Sequence, residues 1–152
     1  MQSSTPQRHV APFFETFEPF QRSGANSGQG TVLMLGNVYP NSLRSNLSPQ
    51  GVLQTFNYAW DFNINRQHSV LSGIIGSIDG NHDLAVPSSI SFIGDGRTLA
   101  SFTVNPDTPP TEITVNITGA RILRILVDQP VEVVAWGTSR GTWMAFTNVM
   151  IY

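Results

Sequence analysis

Residues 111–128 read TEITVNITGARILRILVD, and this stretch decides the fold class. In its first half Ile113, Val115 and Ile117 share one face of an extended chain, while Thr114 and Asn116 share the other. That alternation belongs to a half-buried strand of an antiparallel sheet. A Thr-Gly turn follows, and then ILRILVD (122–128), in which Arg121 and Arg124 mark a sheet rim beside Ile122, Leu123, Ile125 and Leu126.

The same pattern extends in both directions. TVLMLG (31–36), TFNYAWDFN (55–63), SVLSGIIGSI (69–78), SSISFIGDG (88–96) and RTLASFTVN (97–105) precede it; VEVVAWG (131–137) and TWMAFTNVMIY (142–152) follow. Turn-forming stretches such as SIDGNHD, GDGR, NPDTPP, DQP and GTSRG separate these segments, and prolines 106, 109, 110 and 130 all fall between predicted strands. No long segment carries a helical period. About nine short strands with turns at this spacing predict an all-β fold, an antiparallel two-sheet β-sandwich or jelly roll, over residues 31–152.

Residues 1–30 read as an N-terminal arm. SGANSGQG (23–30) has the composition of a flexible linker, and before it lies APFFETFEPF, with Phe13, Phe14, Phe17 and Phe20 at spacings of three and four. Pro12 is placed to start a short helix, with Glu15 near its positively polarised end. Apolar side chains on a tethered arm must be buried somewhere. Two readings stay open: the arm folds back over its own core, or it docks into a neighbouring subunit of a homo-oligomer or larger assembly.

Composition narrows the function classes. Charged residues are 12% of the 152, and the net charge is −2. All eight basic residues are arginine, scattered along the chain (Arg8, Arg22, Arg44, Arg66, Arg97, Arg121, Arg124, Arg140), so no basic stripe exists for nucleic acid. Cysteine is absent, which excludes disulfides, thiolate metal sites and cysteine nucleophiles. No apolar run is long enough for membrane insertion, and Met1 to Arg8 is polar rather than signal-like. Histidines 9, 68 and 82 are scattered, and no nucleophile elbow, zinc-protease helix or phosphate loop occurs, so an enzyme is not expected.

Residues from about 36 to 152 resemble the NPCBM family of galactose-binding-like jelly rolls, which are grouped with carbohydrate-binding modules. The resemblance rests on four blocks in order: SVLSGIIGSIDGN, SISFIGDGRTLAS, TEITVNITGARILRILVD and AFTNVMIY. It implies a non-catalytic module that recognises a glycan or a protein surface, acting outside the cell or at its surface. The family's acidic, histidine-containing stretch, associated with calcium and ligand, is replaced here by Thr142-Trp143-Met144-Ala145-Phe146. Its Gly-x-x-His-Ala segment reads Gly51-Val52-Leu53-Gln54-Thr55.

Two clusters carry the candidate chemistry. Sugars present flat apolar faces that stack on aromatic rings, which makes Trp136, Trp143, Trp60 and Tyr58 the candidate ligand-binding residues, with packing in the core as the alternative for each. Asp79, Asn81 and Asp83 are a dense set of oxygen ligands that suits calcium, although Asp, Gly and Asn also serve turns. The sequence therefore supports a glycan-binding module, with a structural assembly subunit as the alternative, its contacts made by Phe13, Phe14, Phe17 and Phe20.

Overall fold

A computed structural model of the chain describes residues 11–23, 27–45, 54–79, 87–134, 138–140, 142 and 144–152. These residues form β1 (Ala11–Pro12), α1 (Phe13–Thr16), β2 (Gln21–Ser23), β3 (Ser27–Met34), β4 (Asn37–Ser45), β5 (Gln54–Asn63) and β6 (Val70–Ser77). They continue with β7 (Ser88–Gly94), β8 (Arg97–Val104), β9 (Thr111–Asn116), β10 (Ile122–Val134), β11 (Thr138–Arg140) and β12 (Met144–Ile151). Sheet one runs β3-β4-β12-β6-β9, with β1 beside β12; sheet two runs β2-β5-β10-β7-β8, with β11 beside β10. All pairs are antiparallel.

The period-two pattern of the sequence becomes the inner face of each sheet. Leu71, Ile75, Ile113, Val115, Phe146 and Ile151 of sheet one pack against Trp60, Phe62, Ile90, Phe92, Leu123 and Ile125 of sheet two. Phe92 and Phe146 meet edge to face across the interface, their centroids 5.3 Å apart at 66°.

The phenylalanine segment packs on its own sandwich. α1 follows Pro12 as expected, and Phe13 is fully buried, 4.7 Å from Phe62 in a T-shaped contact and 5.3 Å from Phe17 in a stacked one. Phe14 reaches Trp60 and Phe146, each at 6.2 Å. β1 and β2 tie the segment to both sheets, through Ala11↔Ile151 and Arg22↔Trp60. Docking of Phe13, Phe14 and Phe17 into a neighbour is therefore corrected: their rings complete the core of their own chain. Phe20 alone stays outside, 59% exposed.

Two local expectations change. NVYPNSLRS forms β4, an element that its Asn, Pro and Ser residues hid. Pro40 is tolerated because the β3–β4 register shifts between Gly30 and Val32, leaving a break in the ladder there. Pro130 does not separate two strands either, since β10 runs through it. Pairing with β7 ends at Asp128↔Ser89, so on that side the strand is an edge where a missing N–H costs no ladder bond.

The hairpin turns use left-handed residues. Asp95 (φ 49°) and Gly96 (φ 80°) fill the β7–β8 turn, the dipeptide that such a turn favours. The Asp95 carboxylate accepts the backbone N–H groups of Ile122 (2.9 Å) and Arg121 (3.1 Å), tying this turn to the start of β10.

Two outcomes follow from the packing. Phe13→Ala should destabilise the chain by about 3–5 kcal/mol in urea unfolding, while Phe20→Ala should change it by less than about 0.5 kcal/mol. The bonds from Ile122 and then Arg121 hold the Asp95 carboxyl below the usual aspartate range. Its stabilisation is fully present above the unfolded value, about 3.9, and is lost as pH falls through the lower native value. Asp95→Asn should therefore flatten the acid limb of the stability–pH curve, and an unchanged limb would refute the role.

Candidate functional site

Antiparallel pairing gathers one set of strand ends together. Ser77 pairs with Met144, Arg44 with Ala145, Gln54 with Val131, and Ser88 with Val104. The Ser88 hydroxyl donates to the Thr142 carbonyl at 2.6 Å, which joins the two sheets at this end. The strand ends that flank residues 46–53, 80–86 and 135–137 all belong here, so this is the loop end of the sandwich.

The sequence-predicted residues divide into three groups. Trp136, Trp143, Asn81 and Asp83 lie outside the described residues. Trp60 and Tyr58 lie inside the sandwich, 1% and 3% exposed, because the alternation of β5 turns residues 58, 60 and 62 toward the core. Trp60 is thus corrected from a stacking platform to a core residue, with the Arg22 guanidinium 5.1 Å from its ring centroid. Tyr58 is likewise a buried side chain with no free ring face.

Asp79 turns out to be a structural anchor. Its carboxylate accepts the N–H of Leu35 at 2.7 Å and of Gly36 at 2.8 Å, and its own N–H donates to the Leu33 carbonyl at 2.8 Å. These bonds fasten the tip of the β3–β4 hairpin, which lies over the outer face of sheet one: Val32 and Met34 pack on Ala145, with Ile74 and Ile78 beside them. Leu35 (φ 49°) and Gly36 (φ 76°) form the tip, and a leucine in that region carries roughly 1 kcal/mol of strain. Among the described residues no group of three His, Asp or Glu side chains comes together. The described residues therefore do not supply the expected calcium site.

A polar feature that the sequence reading missed sits between the sheets at the loop end. Gln129 is fully buried, and among the described residues neither its amide nitrogen nor its carbonyl oxygen has a hydrogen-bond partner; nor does the Tyr58 hydroxyl. The two are diagonal neighbours on the inner face, since Tyr58 pairs with Val127 and Gln129 with Phe56. Burial pushes the Tyr58 phenol up to about 12. The signal for Gln129 was available: it continues the inward phase of Leu123, Ile125 and Val127, where an apolar residue is the norm.

No family model and no curated protein matches this sequence. Solved structures do match it in backbone. The CBM51 module of Clostridium perfringens GH95, solved in complex with methyl-galactose, is 12% identical with a TM-score of 0.63 over 95% of this chain and 100% of that one. The CBM51-2 and INT domains of Clostridium perfringens ZmpB, in complex with GlcNAc, are 10% identical at a TM-score of 0.62 over 94% of this chain. This chain spans only 31% of that one, about a third of its length. TmCBM27, a mannan-recognising module, is 11% identical at a TM-score of 0.52, with 95% of both chains covered. The chain therefore shares its two-sheet β-sandwich fold with these carbohydrate-binding modules; at these identities the likeness is one of fold.

Two substitutions test the site. Gln129→Met removes two buried, unpartnered atoms at similar volume and should raise stability by about 1–2 kcal/mol; a loss of that size would show that the amide is satisfied. Asp79→Ala should cost about 1–2 kcal/mol and speed amide exchange at Leu35 and Gly36, with Asp95 and its turn unaffected.

Proposed function

We propose that the chain is a non-catalytic carbohydrate-binding module that takes a neutral sugar at the loop end of the sandwich. The observation that carries this reading is the buried pair at that end, Tyr58 and Gln129, whose polar atoms have no partner among the described residues, whereas the buried Ser42, Asp61 and Ser88 side chains are hydrogen-bonded. The fold likeness supports it, because modules of this fold have been solved with methyl-galactose and with GlcNAc. Buried unpartnered amides and hydroxyls call for a partner, and at a site of this kind water or a ligand hydroxyl provides it.

On this reading Trp136 and Trp143 supply the apolar ring faces on which a pyranose stacks. Tyr58 and Gln129 make the buried interior at that end polar. The finer family assignment is NPCBM-like, resting on the four blocks between residues 36 and 152. The chain acts as one module of a larger glycan-directed protein, outside the cell or at its surface, and any catalysis belongs to another part of that protein. The alternative of an assembly subunit loses its main support with Phe13, Phe14 and Phe17 packed in their own core.

Titration with methyl-galactoside and GlcNAc, followed by tryptophan fluorescence and calorimetry, tests the reading. A saturable response is expected, weakened at least tenfold, about 1.4 kcal/mol, in Trp143→Ala or Trp136→Ala. A folded chain that binds neither sugar, or that binds equally well without both tryptophans, would contradict it.

A further inference from the structure

The β3–β4 hairpin covers only part of the outer face of sheet one, and the uncovered part is a groove. On β6 and β9, Ser72 stands opposite Thr114 and Ile74 opposite Glu112, so these four side chains share the outer face. Together with Asn148 and Tyr152 they line a cleft of about 380 Å³. That volume lies within the range of small-ligand sites, roughly 300–1,000 Å³.

Asn148 occupies a special position. The β12–β6 register shifts between Thr147 and Met150, and Asn148 sits in that bulge with φ 50°, a left-handed conformation that Asn tolerates better than most residues. The bulge lets Asn148 line a second cleft as well, of about 160 Å³, together with Phe14, Glu15 and Asn41. Asn41 is also left-handed (φ 52°), and its side-chain amide donates to Glu15 at 3.1 Å. Asn148 therefore borders both clefts. Bulges and left-handed non-glycine residues concentrate where a side chain is aimed at a ligand.

We propose that these joined clefts form a second binding site, for a neutral oligosaccharide, separate from the loop end. The lining chemistry selects that class. Glu112 and Glu15 are acceptors for hydroxyl donors, Asn148 offers both donor and acceptor, and Ser72 and Thr114 add hydroxyls. The half-buried ring of Tyr152 and the apolar sides of Ile74 and Phe14 suit the flat faces of a sugar. Among the described residues no arginine lines either cleft, and two carboxylates repel phosphate, sulfate or uronate groups, so an anionic glycan is disfavoured. Two linked clefts fit successive units of a chain better than a monosaccharide.

Amide chemical-shift mapping of the isotopically labelled chain with mannotetraose and, separately, with methyl-galactoside tests this site. Mannotetraose is expected to shift the amides of Glu112, Thr114, Asn148 and Tyr152, with at least a tenfold loss of affinity in Tyr152→Ala and in the exposed, fold-neutral Glu112→Gln. Shifts confined to Asp79, Gln129 and Met144 would overturn the second site while leaving the loop-end reading intact. Shifts at the groove that neither substitution weakens would overturn it too, and no shift with either sugar would overturn both.

Discussion

The two sheets are held face to face chiefly by apolar contact, with the Ser88–Thr142 hydrogen bond at one end, and the edge-to-face meeting of Phe92 with Phe146 lies within the core that joins them. With no cysteine in the chain, no covalent link between the sheets is available. Everything else follows from keeping that interface filled. Phe13 and Phe14 are drawn in from the N-terminal segment beside Phe62 and Phe146. Gly73 is required because a Cβ there would come within 2.6 Å of the Phe146 ring. Aromatic pairs of this kind contribute roughly 0.5–1.5 kcal/mol beyond the area they bury, which suits a chain that must be stable on packing alone.

The strands were legible where one face is buried and the other wet. In TEITVNI and SSISFIG the period of two maps directly onto the inner residues Ile113, Val115, Ile90 and Phe92. It was illegible where tertiary context overrides local preference. β4 carries Asn, Pro and Ser because it belongs to a hairpin bent at a bulge, and Pro130 passes unnoticed because β10 has lost its β7 neighbour there. The sense of the tryptophans was not legible either. A ring that packs and a ring that binds look alike in sequence, and only the phase of β5 turns Trp60 inward.

The arrangement separates the scaffold from the surfaces that are free to vary. Asp95 and Asp79 each use a carboxylate to satisfy two successive backbone N–H groups, one fixing the β7–β8 turn and the other the hairpin over sheet one. Asp79 was expected among cation ligands and serves instead to hold that hairpin, whose position leaves the Asn148 groove open. At 10–12% identity to modules of the same fold, the apolar phase of the strands can be preserved while every polar contact changes. The proposed ligand contacts accordingly rest on this chain's own polar residues: Tyr58 and Gln129 inside one end, and Glu112, Asn148 and Tyr152 at the outer-face cleft.

The central claim, that this sandwich recognises neutral glycans, is tested most directly by exposing the labelled, folded chain to a glycan microarray that includes neutral, sulfated and sialylated structures. The account predicts retention on a structurally related group of neutral glycans and none on their charged counterparts. Retention only on the charged glycans, or on none of the array, would contradict it.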